Sequence, residues 1–144
     1  MALIPAENTR NDYNYYNEQH EQAEWVYYKL NLALMSGPHS RTDNFRADPK
    51  VSTGSASLAD FRGSGYDRGH LAPAADMKIS ATSMSESFYL SNMSPQVPSF
   101  NRGGWKKLEG LVRSWVAALG DVYIVTGPIL SHNLGKIGPN AVTV

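Results

Sequence analysis

The sequence predicts one compact domain of mixed strand and helix, and three observations carry that expectation. From Trp25 the pattern alternates, with Val26, Tyr28, Leu30 and Leu32 on one side, the period-two signature of a half-buried strand. Further on, Leu108, Leu111, Val112, Trp115, Val116 and Leu119 recur at spacings of three and four, the apolar stripe of an amphipathic helix. At 144 residues the chain can bury a real core without a disulfide or a structural metal.

Taken in order, residues 1–24 are polar and tyrosine-rich without a sustained period, so an extended arm is expected to lead across the surface into the domain. The strand from Trp25 is broken by "SGPHS", and Arg41 to Gly65 read as a long irregular loop held down at isolated apolar residues such as Phe45, Val51 and Leu58. A loop that long in a small domain usually serves function. "SATSMSES" has room for a short helix, and "FYLSNMSPQ" reads as a strand running into a turn at Pro95. The helix is expected from near Gly103 to Gly120, whose missing Cβ suits a C-terminal cap. "DVYIVTGPIL" then reads as a buried strand bounded by Asp121 and the Gly127-Pro128 turn. The final "GPNAVTV" looks like a strand start with nothing after it to pair, an exposed edge that would seek a partner.

Composition narrows the function classes. The 13 Lys and Arg cancel the 13 Asp and Glu, so bulk charge gives no sign of a nucleic-acid binder and only a local patch could act as one. With no cysteine, disulfides, thiolate catalysis and cysteine-held zinc are all excluded. No apolar run approaches the roughly 18 residues of a membrane helix, so no membrane partner is expected. "MALIPAENTR" lacks the basic start and apolar stretch of a signal peptide. A secreted or periplasmic protein whose signal has been removed is the expected localisation.

The residues that point to chemistry begin with "YDRGHLAPAADM", Tyr66 to Met77. His70 carries the side chain best suited to general base work near neutral pH, although a hydrogen-bonded structural histidine is the plainer alternative for any single His. Its neighbours favour the first reading. Gly65 and Gly69 allow backbone conformations closed to other residues, and Arg68 offers a fork of donors that fits phosphate oxygens. Asn101 stands at the doorstep of the helix, where it could cap the helix or offer an amide oxygen to a hard cation such as Mg²⁺. Glu109 and Arg113 lie four apart, the spacing of a surface ion pair worth about 0.3 to 0.5 kcal/mol. Yet Arg102, Lys106, Lys107 and Arg113 against Glu109 leave this segment locally at +3, four positive minus one negative, in a chain of zero net charge. A phosphate backbone would be drawn there, and Glu109 could instead hold waters around a metal.

"YDRGHLAPAADM", "FYLSNMSPQ", "FNRGGWKKLEGLVRSW" and "VYIVTGPIL" resemble, in order and spacing, the motifs of the DNA/RNA non-specific endonuclease family, the ββα-metal nucleases. The resemblance runs from about Trp25 to the last residue. It implies an α+β fold with a ββα-metal site, His70 on a strand and Asn101 and Glu109 on the following helix, in one nuclease domain spanning residues 1–144. His70 would be the general base, Asn101 the direct ligand of Mg²⁺ (Mn²⁺ or another divalent ion being an alternative), and Glu109 a ligand through water. Arg68 and Arg113 would hold the phosphate, Arg102 and Lys106 would add to substrate binding, and Arg41 resembles an arginine used near the scissile bond. Asn92 would shape the pocket rather than react.

The activity so implied is metal-dependent hydrolysis of DNA and RNA to 5′-phosphate ends, with contacts mainly to phosphates and little reading of bases. A catalytically silent nucleic-acid-binding domain and a more selective phosphodiesterase on the same scaffold are the alternatives. Family members usually continue past "GPIL" with further strands and a helix, so the C-terminal part of the domain is expected to be absent. A homodimer, a domain swap or a complementing C-terminal chain would then fill the gap.

Overall fold

The computed structural model describes residues 2–5, 13–131 and 133–144. The strands are β1 (Ala2–Pro5), β2 (Tyr13–Asn17), β3 (Gln22–Leu30), β4 (Asp67–His70), β5 (Met93–Gln96), β6 (Val122–Thr126), β7 (Lys136–Ile137) and β8 (Val142–Thr143). The helices are α1 (Leu32–Met35), α2 (Leu58–Phe61), α3 (Ala81–Glu86) and α4 (Lys106–Leu119). Strands β1, β2, β3 and β6 form an antiparallel sheet in the order β1-β2-β3-β6, while β4-β5 and β7-β8 are separate two-stranded ribbons. The architecture is the mixed α+β class expected.

Strand β3 is the centre of the molecule. Its alternate residues Val26, Tyr28 and Leu30 are buried with Leu71, Ala72, Met77 and Val116, so one sheet face packs on the stretch after β4 and on α4. A second apolar cluster of Ala56, Phe61, Leu90, Met93 and Val142 fastens the long loop to β5 and to the chain end. The loop itself stays irregular from Arg41 to Gly65 apart from α2 and a bridge between Arg46 and Tyr89. Tyr16 pins it further: its hydroxyl accepts from the Ala56 amide at 3.2 Å and donates to Glu21 at 3.1 Å.

Several expectations need correction. The N-terminal arm is largely sheet: residues 2–5 and 13–17 are paired strands, and residues 1 and 6–12 of the expected arm lie outside the described residues. A register shift between Tyr15 and Tyr16 breaks the period, and tyrosines occupy both faces, Tyr15 stacked on Trp25 at 5.6 Å and Tyr16 buried. That is why the alternation was hidden. Leu32 does not continue β3 but starts α1, where the Asn31 side chain caps the turn by accepting from the Leu34 amide. Pro95 does not end β5 but pairs opposite Arg68 within it, a place that a short two-stranded ribbon with open edges can offer a residue lacking an N–H.

Helix α4 starts at Lys106, after a wide π-type turn over Phe100–Trp105, and ends at Gly120 with φ +90. Of its expected apolar stripe Val116 alone is fully buried; Leu108, Leu111, Trp115 and Leu119 are exposed. Strand β6 is likewise half-buried, with Tyr123 and Val125 turned outward. The chain end, in contrast, is not an open edge. Strand β8 pairs with β7, Val142 and Thr143 are buried, Gln22 donates to the Thr143 carbonyl at 2.7 Å, and His20 Nδ1 lies 2.9 Å from the Thr143 hydroxyl. Among the described residues much of the exposed apolar surface lies on α4 and β6.

Candidate active site

Ribbon β4-β5 runs into the wide turn and α4, a ββα unit that gathers most of the predicted residues. Before β4, the "RGSGY" bend needs its glycines: Gly63 and Gly65 have φ of +69 and +82, values costly for a residue with a Cβ. Gly69 is different, since its φ is ordinary and a Cβ there would meet the Gln96 side chain at 2.2 Å. It is small because the ribbon packs tightly.

His70 ends β4 and is buried. Its ring stands edge-on to Phe88 at 5.1 Å and tilted to Phe45 at 5.8 Å, and its backbone carbonyl accepts from the Trp105 indole at 3.1 Å. Burial chiefly, with the charge of Arg41 next, pushes its pKa down to about 3. The imidazole is therefore neutral at physiological pH. Its Nε2 is buried with no hydrogen-bond partner among the described residues. A buried polar atom normally has a partner, so this nitrogen is the reactive-looking feature of the site. Asn92 holds the chain just after His70 in place: its Oδ1 accepts from the Ala72 amide and its Nδ2 donates to the Ala72 and Ser87 carbonyls, each at 2.9 Å. With both amide atoms spent on backbone, Asn92 braces the turn after β4.

Asn101 caps neither the wide turn, whose cap position is Ser99, nor α4, whose cap position is Trp105. Its Nδ2 donates to Asp67 Oδ2 at 2.9 Å, leaving the amide oxygen as a spare acceptor. Asp67 also takes both arms of Arg102 at 2.7 Å. That bidentate bond, opposed by partial burial, holds the Asp67 carboxyl below the usual range. Arg102 is thus paired with Asp67, with its side chain still largely exposed.

A groove of about 530 Å³ opens beside these groups, lined by Arg41, Arg62, Tyr66, Asp67, Arg68 and Asn101 with an apolar floor that includes Phe45 and Phe61. Arg68 lies over the Phe45 ring at 4.1 Å and Arg41 over the Phe88 ring at 4.8 Å, so both guanidiniums are set by the aromatic pair that also flanks His70. Arg41 shares charge with Asp43 at 2.6 Å. Arg62, absent from the sequence-based set, has no ion pair among the described residues. Its lone signal in the sequence was its place two glycines ahead of the histidine motif, which says nothing of which way the loop folds.

Glu109 and Arg113 sit around the other side of α4's first turns, where Tyr28, Leu71, Asp76, Trp105 and Glu109 line a second cavity of about 290 Å³. Burial, against the opposing charge of Arg113, pushes the Glu109 carboxyl up to about 7. The Glu109–Arg113 pair that a spacing of four allows does not form; Arg113 Nη1 instead donates to the buried Asp76 at 2.9 Å. Arg113 is thus held by Asp76 through one guanidinium nitrogen. Lys106 is exposed, and its charge reaches Glu109.

Among the described residues no group of three or more His, Cys, Asp and Glu could cage a metal ion. The Asn101 amide oxygen, on the groove, and the Glu109 carboxyl, on the second cavity, are oxygen donors of the kind a hard cation such as Mg²⁺ takes. Cysteine or histidine sets for a transition metal are missing from them.

The sequence matches the model of the DNA/RNA non-specific endonuclease family over residues 6–144. It is 43% identical over 133 residues to Nuclease C1 of Cunninghamella echinulata var. echinulata, covering 89% of this chain and 53% of that protein. Against mitochondrial Endonuclease G of Homo sapiens the identity is 41% over 116 residues, 79% of this chain and 39% of the relative. A nuclease of Nostoc sp. is 39% identical, with 90% and 47% covered. The chain thus spans about half the length of these relatives, or less. Among solved structures, a chain in the crystal structure of an EndoG/EndoGI complex superimposes with a TM-score of 0.85 at 31% identity, covering 95% of this chain and 62% of that one.

Proposed function

Because the chain belongs to the DNA/RNA non-specific endonuclease family, we propose that it hydrolyses phosphodiester bonds within DNA and RNA, with a divalent cation, Mg²⁺ foremost, and leaves 5′-phosphate ends. The observation that carries this reading is the unpartnered, buried Nε2 of His70, flanked by the same aromatic pair that sets Arg41 and Arg68. His70 takes a proton from water at Nε2, and the resulting hydroxide attacks phosphorus in line while the bond to the 3′ oxygen breaks. The leaving oxygen picks up a proton from solvent, and the phosphate stays on the 5′ side. Arg68 and Arg41 hold the phosphate oxygens as charge builds on them, and Arg62, exposed on the same groove, binds a neighbouring phosphate. Asn101 directly and Glu109 through water would hold the cation, which when bound neutralises charge on the phosphate. Asp67 positions Asn101, and the Trp105 indole fixes the His70 backbone.

Digestion of plasmid DNA and single-stranded RNA by the parent and by His70→Ala, with Mg²⁺ and with EDTA, tests the proposal. We expect both substrates to be cut only with metal, ends that need dephosphorylation before 5′ labelling, and cleavage reduced about 10²- to 10⁴-fold in the variant with binding kept. Binding without cleavage by the parent would indicate a silent binding domain, and cutting of one narrow substrate a selective phosphodiesterase. Export with a leader removed is the compartment that suits so indiscriminate an activity, while relatives include proteins named as mitochondrial; fractionation of the source cell decides between them. The exposed apolar residues Leu111, Trp115, Leu119, Tyr123, Val125 and Ile129 support association, as a homodimer, a swapped dimer or a complex with a complementing C-terminal chain. Among the described residues no helix is long and apolar enough to cross a membrane.

A further inference from the structure

We propose that Asp76 is a positioning residue that holds Arg113 away from Glu109 and so keeps the Glu109 carboxylate free for the hydrated cation. The inference rests on the nuclease reading above. Its physical basis is a competition. Glu109 and Arg113 are four residues apart on α4, neighbours on one helix face, and in isolation they would pair. In the structure they do not. Arg113 gives Nη1 to Asp76 Oδ1 at 2.9 Å, and Tyr28 donates its hydroxyl to Asp76 Oδ2 at 2.9 Å. Asp76 is 1% exposed and Tyr28 2%, so this carboxylate is enclosed with one cation and one phenol as its partners. Glu109 borders the same cavity with no hydrogen bond or ion pair among the described residues.

Stability does not account for this arrangement well. Taking a carboxylate and a guanidinium out of water costs several kcal/mol per ion, and the attraction between them roughly offsets that cost rather than exceeding it. An apolar residue at position 76, beside Leu71 and Val112, would serve packing as well. What the carboxylate does and an apolar residue could not is fix the direction of the Arg113 guanidinium. Tyr28 in turn fixes the carboxylate: it sits on β3, the central strand, so the bond that steers Arg113 is anchored in the rigid sheet. Withdraw the charge from residue 76 and the nearest carboxylate for Arg113 is Glu109, one helical turn back. A Glu109 carboxylate so paired has fewer lone pairs for metal waters, and the cation site weakens.

The test measures cation affinity directly, by isothermal titration of the whole 144-residue chain with Mn²⁺ and then Mg²⁺, with no nucleic acid present. Asp76→Asn keeps the size and one acceptor. We expect it to bind the cation about 10- to 100-fold more weakly, as loss of an outer partner commonly does. Tyr28→Phe, which removes the hydroxyl that anchors Asp76 but keeps the charge that holds Arg113, should weaken binding by less than Asp76→Asn does, and a loss as large as or larger than that of Asp76→Asn would count against the proposal. The decisive variant is the double change Asp76→Asn with Arg113→Gln: removing the competitor should restore most of the affinity lost in the single variant. A purely structural role for Asp76 predicts no such rescue. Affinity unchanged in Asp76→Asn, or lost there and not recovered in the double variant, overturns the proposal while leaving the nuclease reading intact. A parent chain that binds neither cation overturns both.

Discussion

The burial of His70 has a consequence that can be measured without any substrate. Its pKa is about 3 in the folded chain against 6.5 ordinarily, chiefly because the imidazolium would lose its water among Phe45, Phe88 and the ribbon. A histidine with a depressed folded pKa favours the fold when neutral, and the unfolded chain takes up the proton first as pH drops. The stabilising contribution is therefore fully present above pH 6.5, falls as pH is lowered from 6.5 toward 3, and levels off below that. Each pH unit in the window is worth 1.36 kcal/mol, so between pH 7 and pH 4, where some 2.5 units of the window are crossed, His70 should remove about 3 kcal/mol of stability. Urea unfolding of the parent and of His70→Asn from pH 8 to pH 4, followed by circular dichroism, isolates this term. Carboxylates such as Asp67 titrate equally in both proteins and cancel in the difference. The expected result is a gap between the two stabilities that shifts by about 3 kcal/mol over that range, in favour of the variant at low pH. A gap that stays constant with pH would mean that His70 charges as easily folded as unfolded, and the picture of a buried neutral base would fail.

Three further outcomes are expected. Asn101→Ala should weaken Mg²⁺ binding and abolish cleavage, and should also lower stability by about 1.5 kcal/mol through the lost hydrogen bond to the charged Asp67; thermal melts beside digestion assays separate the two effects, and retained cleavage would remove Asn101 from the cation site. Arg62→Ala should leave kcat near the parent value, raise KM, and reduce the slope of log affinity against log salt by about 0.7 to 0.9, one phosphate contact; an unchanged slope would take Arg62 off the nucleic-acid track. Light scattering on this 15.8 kDa chain should show dimers or larger species that dissociate when Leu119 and Ile129, 78% and 94% exposed, are changed to Lys. A monodisperse parent monomer would refute the association.

How much of this was legible in the sequence depends on how local the cause is. The α4 periodicity and its glycine stop, the short helix at Ala81–Glu86 and the β3 alternation are short-range patterns, and each appeared near its expected place. The histidine motif was legible for the same reason, because Arg68, Gly69 and His70 are consecutive on one strand. What could not be read was which face finds cover. The stripe of α4 is as apolar as a core helix, yet within these residues it meets β3 and β6 at Val116 while Leu119 stays in solvent. Strand β2 was hidden by a bulge, and Pro95 gave a turn signal that a paired ribbon overrode.

The relation between Glu109 and Arg113 carries the sharpest physical lesson. A spacing of four on a helix offers about 0.3 to 0.5 kcal/mol to an exposed ion pair, a preference so small that a better partner elsewhere in the fold displaces it. Asp76 is that partner, and it is 37 residues from Arg113 and 48 from Tyr28 along the chain. No local pattern can report it. Asp76 is enclosed and is itself held by the Tyr28 hydroxyl, so the fold rather than the helix spacing decides where the guanidinium points. The outcome is a carboxylate at Glu109 that is half-buried, unpaired and held at a pKa of about 7 by desolvation. A group in that condition gains more than an ordinary surface glutamate from a nearby divalent charge, which would restore its ionised form. On the proposed cation site, the direction in which Arg113 points would therefore matter as much as the position of Asn101.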